Sequence, residues 1–199
     1  MKRVVWLLAV LLLFAAQWAV PFMQVVEEET VRREGMAFRL ALTPVDPYDV
    51  MRGRYLALNF AMDTSALQAP AGSKEGDTVY AVLEEGADGL AVISRLSAVP
   101  VEGAFALPLT FGIVFVGDES ASAPLVRIPL TRFYLPEEDA IDIDAALWQD
   151  GMAQAGSEGI QAVLEVRVLD GRIVAERLWL DGKPYEEWLR AYRARQVQK

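Results

Sequence analysis

The chain of 199 residues contains no cysteine and no histidine. Without cysteine it can form no disulfide, no thiolate nucleophile and no cysteine-ligated zinc site. Without histidine it lacks the commonest general base, the Ser-His-Asp triad and every histidine-ligated metal site. Carboxylate chemistry, a Ser-Lys pair and hard cations held by oxygen ligands remain open. We expect no cofactor.

Basic residues are also in short supply. The chain has 19 Lys and Arg against 28 Asp and Glu, a formal net charge of -9. Because phosphate binding needs a basic surface, this balance argues against nucleic acid as a partner. The length suits one domain with its own core plus a short appendage.

Charged residues are missing from one long stretch near the N-terminus. Residues 4–23 are apolar apart from Gln17 and Pro21. As a helix they would extend about 30 Å, enough to cross the hydrocarbon core of a membrane. A signal peptidase needs small residues before its cleavage site, whereas cuts after Ala16 or Ala19 would place Phe14 or Gln17 there. The sequence therefore predicts an uncleaved anchor.

Charges on the two sides of this segment predict its orientation. Lys2 and Arg3 precede it, and Glu27, Glu28 and Glu29 follow it. The positive-inside rule places the N-terminus in the cytoplasm of a single-pass protein in the cytoplasmic membrane. The remaining residues then lie in the periplasm or outside the cell. We divide the chain into an anchor (1–26), a linker or helical continuation (27–35) in which Glu29 and Arg33 pair, and an outer domain (36–199).

The outer domain shows alternating apolar residues, which are typical of strands. An Asp170-Gly171 pair between two such runs predicts a hairpin. These features predict a mainly β fold, an antiparallel sandwich or partly open barrel with one or two short helices. Strands are predicted at 36–43, 54–62, 78–85, 90–96, 105–109, 112–116, 125–134, 160–169 and 172–180, and loops at 64–76 and 117–124.

Two helices are predicted within the outer domain. One covers 139–149, and its acidic start complements the helix dipole. The other begins with Pro184 as its first residue. It carries an apolar stripe of Tyr185, Trp188, Leu189 and Tyr192, which packs on the sheet. Its basic end, which includes Arg190, Arg193 and Arg195, could instead contact anionic headgroups or a partner.

The segment D-P-Y-D-V-M-R-G-R-Y-L-A-L-N-F, residues 46–60, is dense in turn residues. Asp and Pro favour turns, and Gly53 supplies a conformation that other residues resist. One interpretation is therefore a turn that enters a half-buried strand. One face of that strand would carry Leu56, Leu58, Phe60 and Met62, and the other face Tyr55 and Asn59. The other is a surface that recognises a partner. No catalytic residue is assigned, because the segment contains neither a nucleophile nor a base.

This segment resembles the signature of the GDYXXLXY family of bacterial proteins. Gly53, Tyr55 and Leu58 match, whereas Arg54 replaces the family's Asp and Phe60 replaces its final Tyr. The strings G-D-T-V-Y-A-V-L-E (76–84), R-F-Y-L-P-E (132–137) and L-D-G-K-P (180–184) are also similar to the family. Together these strings span nearly all of the outer domain.

The resemblance implies one N-terminal hydrophobic segment, a β-rich domain and a place beside multi-pass membrane proteins, but it assigns no activity. Arg54 cannot serve as a required carboxylate. The predicted motif and partner-binding residues are Asp46, Pro47, Asp49, Arg52, Gly53, Arg54, Tyr55, Leu58 and Phe60.

Three functions remain open. The first is a non-enzymatic accessory module that serves a multi-pass membrane partner. The second is a membrane-anchored hydrolase with a carboxylate site or a Ser-Lys site, for which Ser73-Lys74 is the candidate pair. The third is a structural domain in an envelope assembly. The acidic run 137–144 lacks the glycine of a calcium loop, and we therefore expect no metal site.

Overall fold

The fold was obtained as a computed structural model. Within its described part, the chain forms three helices and ten strands. The described residues are 2–43, 55–60, 62, 64, 66–102, 105–115, 122–151 and 159–197. The elements are α1 (Lys2–Glu34), β1 (Met36–Ala41), β2 (Tyr55–Ala57), β3 (Thr78–Glu85), β4 (Ala91–Ser97), β5 (Ala106–Phe115), β6 (Ser122–Arg127), β7 (Arg132–Tyr134), α2 (Glu137–Asp150), β8 (Ala162–Leu169), β9 (Arg172–Leu180), β10 (Lys183–Pro184) and α3 (Tyr185–Val197).

Helix α1 continues through the segment predicted as a linker or helical continuation. It is long and apolar enough to cross a membrane, and no residue of its most apolar window is buried. Pro21 lies inside the helix. The predicted pair forms at the far end, where Arg33 Nε lies 2.7 Å from Glu29 Oε1. The helix ends where the Gly35 N–H donates to the Val31 carbonyl at 2.9 Å, and β1 begins one residue later.

The anchor sheet, as we call the sheet of strands β1, β8, β9 and β10, follows directly from α1. Its order is β1-β8-β9-β10, with every neighbour antiparallel. The predicted hairpin is confirmed: Asp170 and Gly171 both have positive φ, 47° and 76°, as the tight turn between twisted strands requires. Alternate residues of β8 are buried and face the core.

The second sheet has the order β4-β3-β5-β6 and is also antiparallel. The prediction of two strands at 105–109 and 112–116 was wrong, because the single strand β5 runs through Gly112. Gly112 pairs with Leu125 of β6 in the normal register. A glycine in a strand weakens it but does not end it, and no turn forms there.

The prediction of one strand over 125–134 was also wrong. The segment divides into β6 and β7, which belong to different sheets. Pro129 lies between them and has no N–H to continue a ladder. The loop predicted at 117–124 was wrong for residues 122–124, which are in β6. Pro124 is tolerated there because β6 is an edge strand.

The motif sheet, as we call the pair β2 and β7, is the smallest of the three. The predicted strand 54–62 is reduced to β2 and a single bridge between Phe60 and Leu42. Helix α2 follows β7 and contacts β2. Its core-facing residues include Ile143 and Ala146, which are fully buried.

Helix α3 closes the anchor sheet at its β9–β10 end. The predicted stripe is confirmed, since Trp188, Leu189 and Tyr192 are buried and Tyr185 packs against the core. The predicted helix start was wrong by one residue. Pro184 pairs with Trp179 in β10, and the helix begins at Tyr185. One hydrophobic core joins the three sheets with α2 and α3. The structure confirms the mainly antiparallel β fold with short helices after an N-terminal apolar helix.

Candidate functional site

The residues predicted to bind a partner fall into two groups. Tyr55, Leu58 and Phe60 lie in the part of the chain that the structure describes. The other six, namely Asp46, Pro47, Asp49, Arg52, Gly53 and Arg54, lie outside the described residues. The site is therefore built here from the strand end of the motif and from what packs against it.

Two of the family-like strings pair with each other. Tyr55, Leu56 and Ala57 of β2 lie opposite Tyr134, Phe133 and Arg132 of β7. The Leu58 N–H donates to the Thr131 carbonyl at 3.0 Å and extends the ladder by one bond. Segments almost 80 positions apart in the chain thus form one small antiparallel sheet.

The outward face of the motif sheet is aromatic and basic. The rings of Tyr55 and Tyr134 meet edge to face, with centroids 5.9 Å apart. The Arg132 guanidinium lies over the Tyr55 ring, with its Cζ 4.8 Å from the centroid, a cation–π contact. Tyr134 is 69% exposed. We call Tyr55, Arg132 and Tyr134 the tyrosine–arginine face.

Two neighbouring tyrosines stabilise the positive charge of Arg132. A side-chain hydrogen bond to Tyr134 raises the pKa of the Arg132 guanidinium, and the nearby Tyr55 raises it further. Arg132 and Tyr134 are two residues apart on one strand, so both side chains lie on the same face. The face therefore presents a positive charge that contacts both phenol side chains.

The inward side of the same segment anchors it to the core. Leu58 is 9% exposed, and Leu56, Phe60 and Phe133 pack against the core cluster. The predicted division of the motif is confirmed: leucines and Phe60 face inward, whereas the Asn59 side chain is exposed. The buried half of the motif thus fixes the tyrosine–arginine face to the core.

The acidic helix α2 has a structural use for two of its carboxylates. Arg193 of α3 contacts Asp142 Oδ2 through Nε at 2.6 Å and Asp139 Oδ1 through Nη2 at 2.9 Å. These contacts, led by the hydrogen bond to Asp142, raise the pKa of Arg193. Of the basic residues at this end of α3, Arg193 thus binds α2. Among the residues that were searched, no group of acidic side chains is arranged to hold a metal ion.

Ser73 and Lys74 lie in the turn that leads into β3. The Ser73 N–H donates to the Pro70 carbonyl at 3.1 Å, and the Lys74 N–H donates to Asp77 Oδ2 at 2.7 Å. Their backbone groups therefore hold a surface turn. Across the described ranges no hydrogen bond joins a serine hydroxyl to a lysine amine.

Sequence reasoning missed Arg132 and Tyr134 as members of the site. Both stand in the string R-F-Y-L-P-E, which was noted as family-like but not connected with Tyr55. The signal was available in the period-two pattern, which places Arg132 and Tyr134 on one face. No signal in the sequence indicated the pairing of β7 with β2, because strand pairing over such a distance leaves no local pattern.

Comparison of the chain with known protein families agrees with the family-like strings. The family model described as GDYXXLXY protein matches residues 17–178, which include the end of α1, the motif and most of the domain. No curated protein and no solved structure gives a significant match. The chain therefore belongs to the GDYXXLXY protein family.

Proposed function

We propose that the protein is a non-enzymatic accessory module that is anchored in the cytoplasmic membrane by α1 and binds a multi-pass membrane protein. The contact surface is the tyrosine–arginine face. The observation that carries the proposal is the exposure of Tyr134, which lies in one cluster with Arg132 and Tyr55. Tyrosine and arginine are the residue types most enriched at the energetic centres of protein interfaces.

The apolar part of α1 supports the membrane half of the proposal. Its large side chains are exposed, including Trp6, Leu12, Phe14 and Phe22. An apolar surface of this size in water would be an aggregation hazard, and a bilayer would cover it. The basic residues before it and the acidic residues after it favour a cytoplasmic N-terminus and a domain in the periplasm or outside the cell.

The junction between α1 and the domain supports a fixed position for the site. Val31 is 2% exposed and packs where the helix meets the domain. Arg172, at the start of β9, forms an ion pair with Glu27, and the Arg167 side chain donates to the Gly35 carbonyl at 3.1 Å. Because no flexible linker intervenes, the anchor sets the height and orientation of the domain above the membrane.

Photocrosslinking in membranes tests this proposal. A benzophenone amino acid replaces Tyr134 in the full chain, which carries a C-terminal tag, and crosslinked products are identified by mass spectrometry. The expected product is a stoichiometric adduct with one multi-pass membrane protein. The intact mass of the same sample reports whether the anchor is retained, and we expect the uncleaved chain.

The controls separate the face from general stickiness. A benzophenone at Val99, which is also strongly exposed but lies in a distant turn, should give no such adduct. Arg132→Glu should abolish the adduct at Tyr134, whereas Arg95→Glu, an equal charge change on the exposed side of β4, should leave it. A clean chain with no adduct, or equal adducts at both sites, would contradict the proposed function.

A further inference from the structure

A cleft of about 420 Å³ opens beside β1, away from the motif sheet. Its walls come from four regions: β1, the end of the β3–β4 hairpin, Phe105 just before β5, and Glu165 of β8. The tyrosine–arginine face contributes nothing to this lining. Its distinguishing feature is that one wall is the free edge of a strand.

The hydrogen-bonding pattern shows which groups of β1 are free. The Leu42 N–H donates to the Ala162 carbonyl at 3.0 Å. The even-numbered residues of β1 therefore direct their backbone N–H and C=O groups toward β8. In an antiparallel ladder the alternate residues direct their N–H and C=O groups to the opposite edge. Ala37 and Arg39 therefore point theirs into the cleft, where the described residues supply no backbone partner.

Just beyond β1, the same edge pairs with a later segment of the chain. The Thr43 N–H donates to the Asn59 carbonyl at 2.8 Å, and Leu42 bridges to Phe60. The Met62 N–H then donates back to the Phe60 carbonyl at 3.1 Å. Among the described residues, no strand pairs with the edge at Ala37 and Arg39.

The walls define what kind of strand could complete this edge. Phe38 and Leu83 form an apolar floor, and Phe105 meets Phe38 edge to face with centroids 5.6 Å apart. Three carboxylates line the cleft, those of Glu84, Glu85 and Glu165, against the single guanidinium of Arg39.

Some charged side chains in the cleft have partners within the chain, and others have none among the described residues. Arg39 is taken up by the Trp179 ring, with its Cζ 5.3 Å from the centroid, and Trp179 Nε1 donates to Glu165 Oε2 at 2.9 Å. Glu84 and Glu85 are exposed and form no ion pair or hydrogen bond through their side chains with any described residue. The net negative charge at this edge is therefore available to a ligand.

We propose that this cleft binds an extended peptide segment of another protein, with alternating apolar and basic side chains, as an added strand on β1. Main-chain hydrogen bonds to Ala37 and Arg39 supply the pairing, as in other cases of strand addition. The apolar side chains face Phe38 and Phe105, and the basic ones face Glu84 and Glu85. This site does not depend on the tyrosine–arginine face, so each proposal can fail alone.

A titration with synthetic peptides tests the proposal. The full chain is held in nanodiscs of neutral phosphatidylcholine, and a fluorescent hexapeptide of alternating Val and Lys is followed by anisotropy. A Val-Glu hexapeptide and empty nanodiscs are the blanks. We expect the Lys peptide to bind at least about tenfold more tightly than the Glu peptide, because the cleft is acidic.

Two variants separate charge from strand addition. Reversing both acidic residues, Glu84→Lys with Glu85→Lys, should weaken Lys-peptide binding about tenfold, whereas Glu75→Lys with Glu186→Lys, an equal change outside the cleft, should alter it less than about twofold. Ala37→Pro removes an edge N–H that does not serve the β1–β8 ladder, so it should keep the thermal midpoint and weaken binding about tenfold.

Several outcomes would overturn the proposal. Equal affinity for the two peptides would remove the role of charge, and full binding by a folded Ala37→Pro variant would remove the added strand. Self-association that Ala37→Pro abolishes would assign the edge to a second copy of the chain instead. An equal loss in the two double-charge variants would reduce the effect to the overall charge of the protein.

Discussion

The anchor sheet and the motif sheet are built on opposite plans. The three main strands of the anchor sheet have six, eight and nine residues, and its fourth strand, β10, has two. Its inner face buries Leu40, Leu164 and Leu178 at 0% exposure. The motif sheet has two strands of three residues, and Leu56 and Phe133 on its inner side are partly buried. Its outer side exposes most of Tyr134.

This difference shows that the family motif does not mark the most deeply buried part of the fold. The anchor sheet begins two residues after α1 ends and contributes many of the fully buried side chains of the core. The motif sheet uses a few inward side chains to hold a tyrosine–arginine face at the surface. Recognition sites are commonly placed on less stable elements that a rigid scaffold positions.

The largest expected effect compares one leucine from each sheet. Leu164→Ala leaves a cavity at a fully buried site and should lower the free energy of unfolding by about 3 kcal/mol. Leu56→Ala, at a partly buried site, should cost about 1 kcal/mol. Denaturant unfolding of the full chain in detergent, followed by circular dichroism, measures both. Equal losses would show that the two sheets share one level of stability.

The next comparison concerns two glycines. A Cβ at Gly35 would lie 2.4 Å from the Val31 carbonyl oxygen, at the junction of α1 and the domain, whereas a Cβ at Gly112 would meet nothing closer than 3.5 Å. Gly35→Ala should therefore cost about 2 kcal/mol, as overpacking does. Gly112→Ala should stay within about 0.5 kcal/mol. A harmless Gly35→Ala would mean that the junction yields more easily than its contacts indicate.

Local patterns predicted the parts of the fold that local physics controls. The alternation of β8 and β9, the Asp170-Gly171 turn and the apolar stripe of α3 each depend on neighbours within a few residues. The errors arose where a pattern continued across a boundary. The apolar alternation passes through Pro129 without a break, but the missing N–H ends pairing there, and Gly112 resembles a turn residue although β6 keeps it extended.

The candidate site was predictable in its inward half and not in its outward half. Period two placed Leu58 and Phe60 in the core and left Asn59 outside. The contact of Tyr55 with Arg132 and Tyr134 depends on which strand pairs with β2, and that choice is made by the whole core. The same limit hid the cleft beside β1, because the position of β1 at the edge of its sheet depends on long-range strand pairing.

A smaller effect is the pH dependence of stability that comes from α3, which packs on the anchor sheet. Burial raises the pKa of the Tyr185 phenol at the foot of α3, and Glu186 and Asp139 add to the shift. Because the folded state favours the neutral phenol, this contribution is complete below its ordinary pKa of about 10 and is lost as the pH rises beyond it.

Tyr185→Phe tests this contribution, since the variant cannot ionise. Its melting temperature should fall less than that of the wild type between about pH 8 and pH 11, by an amount equivalent to less than about 1 kcal/mol. Differential scanning calorimetry of both proteins in the same detergent gives the comparison. Parallel declines of the two melting temperatures would show that the Tyr185 phenol ionises equally easily in the folded and unfolded chains.

The smallest expected effect comes from the ion pair at the junction. Glu27 and Arg172 are both largely exposed, so reversing one charge with Arg172→Glu should cost about 0.5 kcal/mol at low salt. Adding Glu27→Arg should restore the pair, and about 1 M salt should erase the difference, because the Debye length then falls to about 3 Å. Thermal unfolding of the two variants at low and high salt measures this. A penalty above about 2 kcal/mol that persists in salt would show that the ion pair holds the domain on α1. A small, screened penalty would leave that task to the buried Val31 and the close approach at Gly35, as the contacts of the anchor sheet indicate.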